Sequence, residues 1–311
     1  MRPPGEHDMN RMNHPTWTGT APTSITREGG VRSLVVGVIA LTLAAFASGG
    51  CATARPGTTE TSRSADAAAP VEPLELLQEA ADHEALYTLA GGLKPMSSGF
   101  WRGGIDVDDP DLREIERVER ILGILRNDVW YADVQVFDKA REGRRSAHAY
   151  VVHRESLAQM IERLESFWSV HGITPATHPA EIVAIVDRLP REDRWRGYGH
   201  LFGYPDDAVD FFVEAGVAAD DGREIGPGKD REFVQIPTHA SDTGRFTYAV
   251  PLDHVPTATD RRLAEHAGLI LAAYRERRPL MTDPQITAEE LLELNSRFEH
   301  LAITEEGSPP G

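Results

Sequence analysis

The chain has little of three features that would reveal its chemistry. Its 311 residues include one cysteine, Cys51, so no disulfide can form within the chain. Only three of its 32 basic residues are lysine. It contains no HExxH motif, no paired cysteines and no GxSxG elbow, the short patterns that mark zinc proteases, zinc sites and many serine hydrolases. The sequence alone therefore identifies no reaction.

The apolar run at residues 34–47 is 14 residues long, too short for a membrane helix, which needs about 20. It follows Arg32 and precedes Cys51 closely, a pattern typical of an export signal rather than a permanent span. The alternative is a buried core helix that carries a chance cysteine. Gly37 and Gly49 disfavour a helix, because each would cost its interior roughly 0.8–1 kcal/mol.

Ser48, Gly49, Gly50 and Cys51 resemble the lipobox of bacterial lipoproteins, in which small residues precede a cysteine that is lipidated and becomes the mature N-terminus. That family usually has leucine where this chain has Ser48, and the resemblance covers this segment alone. It implies that Cys51 carries lipid, palmitate included, and that two or more acyl chains hold the protein stably at the cell envelope. Because Ala52 follows the cysteine, the resemblance also implies the outer membrane, facing the periplasm.

Composition divides the chain into four parts. Residues 1–50 form a lead segment and export signal, with Val31 as an alternative start to Met1. Residues 51–73 form the lipidated cysteine and a tether. The tether residues are small and polar, so they cannot bury enough apolar surface to offset the entropy lost when a chain becomes ordered. A globular domain follows at 74–301 and a disordered tail at 302–311. The net charge of −17 opposes binding to nucleic acid, so we expect the membrane, through lipid on Cys51, and an envelope protein or small ligand as partners.

Apolar periodicity predicts an α+β domain. Residues 129–152 alternate with period two around a polar turn, and 233–236 with 246–250 do the same, so we expect two antiparallel hairpins. Six to seven amphipathic helices surround them, the first at about 74–89 and the most regular from about 157 to Gly172, with Phe167 and Trp168 on its apolar face. Segregated hairpins argue against a doubly wound parallel sheet. The order helix, hairpin, helix occurs twice, either by internal duplication or by chance.

The first candidate site is a glycine-rich segment, residues 91–104, which we expect to form a loop. It carries Lys94, Ser97 and Ser98, and Lys94 alone among the lysines stands between apolar neighbours. Backbone N–H groups of such loops can bind an anion. The alternative is a loop whose glycines serve only its turns.

The second candidate site is the stretch 191–207, which contains three glycines and four aromatic residues and which we expect to be a tight turn between helices. His200 stands between Tyr198 and Tyr204 there, and a histidine can act as acid or base near neutral pH. The alternative is a purely structural turn. His148 and His153, five apart on a strand, lie on opposite faces and cannot easily share an ion, so we predict no metal and no other cofactor.

Two classes of function remain. The first is a lipoprotein whose acidic domain binds a ligand or a partner protein. The alternative is an envelope hydrolase or transferase that uses His200 with Lys94 or a loop serine. The two differ in whether Lys94, Ser97, Ser98 and His200 converge on one pocket.

Overall fold

A computed structural model describes residues 71–220, 231–243 and 246–301, which form an α+β fold with ten helices and two antiparallel sheets. The predicted export signal, Cys51 and nearly all of the predicted tether lie outside the described residues, as does the predicted tail from residue 302. None of the helices in the described part combines the length and the apolar character that a membrane crossing requires.

The first sheet has three strands, β1 (Met96–Asp106), β2 (Trp130–Arg141) and β3 (Arg144–His153), in the order β1-β3-β2. Strands β2 and β3 form the first predicted hairpin. Their register is continuous from the pair Trp130 and His153 to the pair Val136 and Ala147, and it shifts between Val136 and Ala140. Glu142 and Gly143 connect them, and both have positive φ, as a two-residue turn that follows the strand twist requires.

Strand β1 corrects the prediction of a glycine-rich loop. Residues 96–106 pair antiparallel with β3, and the register shifts between Ser98 and Arg102. Gly99 lies within this irregularity at φ +89, a conformation that glycine adopts without steric cost. The glycines thus accommodate a bulge in a strand, and the first sheet has one strand more than a hairpin.

The second sheet is the second predicted hairpin, β4 (Arg231–Ile236) with β5 (Phe246–Pro251). Strand β5 packs against helix α8 (Asp206–Asp220). Of the acidic segment between α8 and β4, residues 221–230 lie outside the described part of the chain.

The helices outnumber the predicted six to seven, because two predicted helices are divided and one segment expected to be a turn is helical. The segment 74–89 breaks after Asp82, and the segment after His153 breaks at Leu164, where φ −108 and ψ 34 are not helical. Gly172 ends the latter at φ +72, the left-handed conformation of a helix C-terminus. The other helices, with α8 already given, are α1 (Pro73–Asp82), α2 (Leu86–Leu89), α3 (Arg113–Leu122), α4 (Arg154–Arg163), α5 (Glu165–Trp168), α6 (Pro179–Arg188), α7 (Arg191–Leu201), α9 (Ala258–Arg277) and α10 (Pro284–Phe298).

Helix α7 occupies most of the stretch that we expected to be an aromatic turn. Its glycines allow neighbouring helices to approach closely. A Cβ atom at Gly197 would lie 3.1 Å from Cγ1 of Val186 on α6, and one at Gly199 would lie 2.8 Å from Cγ2 of Val209 on α8. The helix therefore exists because tertiary packing outweighs the low helix propensity of glycine, and the turn is confined to residues 202–205.

Two large apolar cores stabilise the domain, together with a small cluster of Ile105, Ile115 and Ala147. The larger one joins helices α1, α2, α9 and α10 to the first sheet and β5, and includes Leu86, Leu122, Trp130, Phe246, Ile270 and Leu291. The smaller one joins the first sheet to α4, α5, α6 and α7, and includes Leu157, Ile161, Trp168, Ile182, Val186 and Leu201.

Candidate functional site

A cleft of about 390 Å³ lies where four parts of the chain meet. We call it the His200 cleft. Its walls come from the segment before β1, from α4, from the turn between α7 and α8, and from α9. The lining residues are Gly92, Leu93, Pro95, Ser156, Gln159, Met160, Glu162, Arg163, His200, Gly203, Tyr204, Pro205, Asp206, Thr259 and Leu263.

His200 lies in the last turn of α7 and is only 5% exposed. Its ring packs at 5.7 Å from the ring of Phe167 and at 6.4 Å from that of Trp168. Nδ1 lies 3.4 Å from Oδ1 of Asp206, beyond the usual length of an N–H···O hydrogen bond. Among the described residues this buried nitrogen therefore has no partner at normal hydrogen-bond geometry.

Asp206 connects His200 to a cation on α4. Nη1 of Arg163 lies 2.5 Å from Oδ2 of Asp206. Burial raises the pKa of Asp206, but the interactions with His200 and Arg163 outweigh burial and lower the pKa to about 2. The carboxylate is therefore ionised at neutral pH and forms a charge pair on the wall of the cleft.

Ser156 places a hydroxyl on the cleft at the start of α4. His153 caps this helix, and its Nδ1 accepts hydrogen bonds from the Ser156 backbone N–H at 3.2 Å and from its Oγ at 2.9 Å. Burial lowers the pKa of His153, which favours the neutral imidazole that such acceptance needs. Gly92, at φ +63, lies over the pair, and a Cβ atom there would come within 2.7 Å of His153 Nδ1.

Lys94 and Ser97 are directed into the interior. The Lys94 side chain is wholly buried, with Nζ 2.5 Å from Oε2 of Glu84 and 4.4 Å from the centre of the Phe246 ring. Burial lowers the pKa of Lys94, and the charge of Glu84 opposes that shift only in part. Ser97 Oγ lies 2.9 Å from Oγ1 of Thr88. These two side chains thus hold the α1–α2 region against the start of β1.

Ser98 lies in β1, opposite Tyr150 of β3, and is half-buried. Tyr198 lies on α7 only two residues before His200, a separation of about 200° around a helix. Its hydroxyl accepts a hydrogen bond of 2.7 Å from Nε2 of Gln135 on the first sheet. Tyr198 and His200 therefore project from opposite sides of α7.

The two stretches that the sequence singled out are in contact through their backbones. Gly203 has φ +70, and a Cβ atom there would lie 2.9 Å from the Leu93 carbonyl oxygen. Tyr204 lines the cleft, and its ring centre is 5.8 Å from Lys94 Nζ. Burial raises the pKa of Tyr204, and the charge of Glu84 adds to that shift, so its hydroxyl stays protonated. The structure thus brings His200, Tyr204 and the backbone beside Lys94 to one cleft.

The sequence analysis did not identify the cleft residues on α4 and α9, among them Ser156, Gln159, Arg163 and Thr259. Polar residues on an amphipathic helix look the same whether they face solvent or a cleft, so the pattern held no signal for them. Within the described residues, no group of three or more His, Cys, Asp or Glu side chains is placed to hold a metal ion.

Comparison of the chain with protein-family models, with curated proteins and with solved structures finds no match.

Proposed function

We propose that the protein is a lipid-anchored component of the bacterial cell envelope whose acidic domain binds a small, neutral, hydroxyl-rich ligand of the saccharide class in the His200 cleft. The observation that carries the proposal is the cleft itself. Its volume of about 390 Å³ falls in the range of small-molecule sites. The Arg163–Asp206 charge pair and the His200 ring also lie together on its wall.

The charges of the cleft favour a neutral ligand. Arg163 and Asp206 are already paired, so a charged ligand would have to disrupt that pair or meet the like charge of one member. Glu162 adds a further carboxylate, which opposes an anion, as does the net charge of the chain. Hydroxyl groups can accept from the guanidinium and donate to the carboxylate without breaking the pair.

The remaining lining suits a ligand with both apolar and polar faces. Leu93, Pro95, Met160 and Leu263 supply apolar surface, against which the C–H face of a sugar ring can pack. Residues that carry hydroxyl and amide groups, Ser156, Gln159 and Thr259, lie among them. A small number of placed polar groups within an apolar wall is the usual composition of a specific small-molecule site.

The binding test uses N-acetylglucosamine and glucose as probes, titrated into the full chain and followed by the NMR shifts of its methyl groups. We expect saturable shifts with a dissociation constant on the order of 1 mM, typical of a weak small-molecule complex. Asp206→Asn should weaken the binding of the tighter-binding sugar about tenfold, because a charge-assisted hydrogen bond is lost.

Glu214→Gln is the matched control, since Glu214 is an exposed acid on the same helix and is not a lining residue of the cleft. It should leave the binding of the tighter-binding sugar unchanged. Equal affinities in the parent and in the Asp206→Asn protein would refute the site.

The anchorage test concerns Cys51, which lies outside the described residues. Cys51→Ala should give an unprocessed protein without lipid that is lost from the membrane fraction. Ser48→Ala keeps a small residue before the cysteine and should leave lipidation intact. If the Cys51→Ala protein stays in the membrane fraction in the same amount as the parent, the hypothesis of a lipoprotein is wrong.

The second candidate function is an envelope hydrolase or transferase that acts in the same cleft. The observation in its favour is the 2.9 Å contact between Ser156 Oγ and His153 Nδ1. A nearby imidazole can accept the serine proton as the oxygen attacks a carbonyl carbon. Covalent labelling by a fluorophosphonate that disappears in Ser156→Ala and persists in Ser98→Ala would favour this function over simple binding. The absence of labelling in the parent would exclude a reactive serine.

A further inference from the structure

A second cavity, of about 230 Å³, lies between the first sheet and α6 and shares no lining residue with the His200 cleft. Its sheet wall includes Gln135 of β2 and Tyr150 of β3, and its helix wall includes Ala180 and Ala184. These two alanines are four residues apart and so lie on one face of α6. Their short side chains leave the space that larger residues would fill at a packed helix–sheet contact.

Gln135 gives this cavity a specific hydrogen-bonding character. The residue is 7% exposed, and its Nε2 donates to the hydroxyl of Tyr198 at 2.7 Å. Its Oε1 has no hydrogen-bond partner within the described part of the chain. A buried amide oxygen without a partner is destabilising and rare in native proteins, where a bound molecule is one of its explanations. The missing partner must be a donor.

Three carboxylates also line the cavity, those of Asp133, Asp138 and Asp187, together with two arginines, Arg145 and Arg188. Asp187 Oδ2 accepts a hydrogen bond of 2.7 Å from the Asp138 backbone N–H. That contact fixes the carboxylate of α6 against β2 without neutralising its charge. Asp133 is already paired with Arg126 at 2.7 Å, whereas the Asp187 carboxylate is held by a neutral N–H. The cavity thus combines an amide acceptor with a carboxylate that is held in place and keeps its charge, so it is suited to a positively charged donor.

We propose that this cavity binds a small organic cation with planar N–H donors, of the amidine or guanidine class, whose N–H groups satisfy Gln135 Oε1 and pair with Asp187. The volume admits a group of this size and excludes a large ligand. A bidentate contact of a planar cation with a carboxylate supplies both energy and orientation. This site is independent of the ligand proposed for the His200 cleft.

The test uses three probes of nearly identical shape and different charge: acetamidine, acetamide and acetate. Each is titrated at constant ionic strength into the full chain labelled at its alanine methyl groups, because Ala180 and Ala184 line the cavity and report occupancy directly. We expect acetamidine to give saturable shifts at both methyl groups. Acetamide should bind at least about tenfold more weakly, because its hydrogen bond to the carboxylate is no longer charge-assisted, and acetate should not saturate.

Three variants locate the effect. Asp187→Asn and Gln135→Leu should each weaken the binding of acetamidine roughly tenfold or more. Ala184→Leu should abolish the binding, because the larger side chain fills the cavity. Glu181→Gln is the matched control, because Glu181 is an exposed acid on the same helix and is not a lining residue. If Gln135→Leu fails to fold, the conservative Asp187→Asn decides the question. Equal midpoints for acetamidine and acetamide, or shifts that never saturate, would mean that the cavity holds water only and would overturn the proposal.

Discussion

Nζ of Lys94 lies 2.5 Å from Oε2 of Glu84, and the two partners differ in their access to water. The lysine side chain is wholly buried, whereas 22% of the glutamate side chain is exposed. Phe246, Phe202 and Tyr204 surround the ammonium with aromatic faces, which attract a cation. The pair connects the break between α1 and α2 to the start of β1, beside the His200 cleft.

This asymmetry predicts unequal costs of mutation. Glu84→Gln leaves a buried ammonium without its counter-charge and should reduce the free energy of unfolding by about 3–5 kcal/mol. Lys94→Met should cost less, because the Glu84 carboxylate can turn toward water. Urea denaturation of both variants measures the two costs. A larger loss for Lys94→Met than for Glu84→Gln would contradict the assignment of Lys94 as the member that depends on its partner.

The glycines of α7 give a second prediction. Gly199→Ala introduces a Cβ atom 2.8 Å from Cγ2 of Val209, and this overpacking should destabilise the domain by about 1–3 kcal/mol. Gly268 is the matched control, since it lies within α9, is exposed, and has nothing within 4 Å of an added Cβ atom. Gly268→Ala should stabilise by about 0.4–1 kcal/mol. Thermal midpoints that shift in the same direction for both variants would disprove the close contact of α7 with α8.

Phe167 and Trp168 are adjacent but differ in burial. We predicted from the sequence that Phe167 is buried, yet it is half-buried, and Trp168 is wholly buried with its Nε1 donating to Met160 Sδ at 3.2 Å. Trp168→Ala should therefore cost about 3–5 kcal/mol. Phe167→Ala should cost clearly less, because part of its ring is already hydrated. Chemical denaturation that ranks the two variants in the opposite order would be inconsistent with this packing.

His148 predicts a dependence of stability on pH. Burial, aided by the charge of Arg102, lowers the pKa of His148 from 6.5 to about 4. Between these values the unfolded chain binds a proton that the folded chain does not, so stability falls as the pH drops from about 6.5 to about 4. His148→Gln removes the titrating imidazole. The fall in stability between pH 6.5 and pH 4 should therefore be smaller in this variant, as measured by thermal midpoints at each pH. An unchanged pH profile would show that His148 is hydrated in the folded protein.

Much of the secondary structure could be predicted because its causes are local. The period of two in β2 and β3, and the apolar positions Leu263, Ala267 and Ile270 of α9, are visible in any short window of sequence. Gly172 marks a helix end by its own conformational freedom. Strand β1 was missed because Gly103 and Gly104 obscure its alternation, and because its pairing partner β3 lies some 45 residues further along the chain.

The residues of the candidate site also differ in whether the sequence could identify their role. His200 and Tyr204 stood out by composition, and both line the cleft. Lys94 and Ser97 stood out equally, yet their partners Glu84 and Thr88 are contacts that only the fold creates. No rule of spacing distinguishes a lysine that reaches a ligand from one that is enclosed.

By itself the sequence determined the α+β class, the two hairpins and the net charge, because periodicity, turn chemistry and the count of ionisable groups are properties of neighbouring residues or of composition. Tertiary structure decided the rest. It made a helix of the aromatic stretch through contacts of Gly197 and Gly199 with other helices, and it set Arg163 against Asp206 across 43 residues. Such arrangements depend on which surfaces pack together, and packing is a property of the whole folded chain.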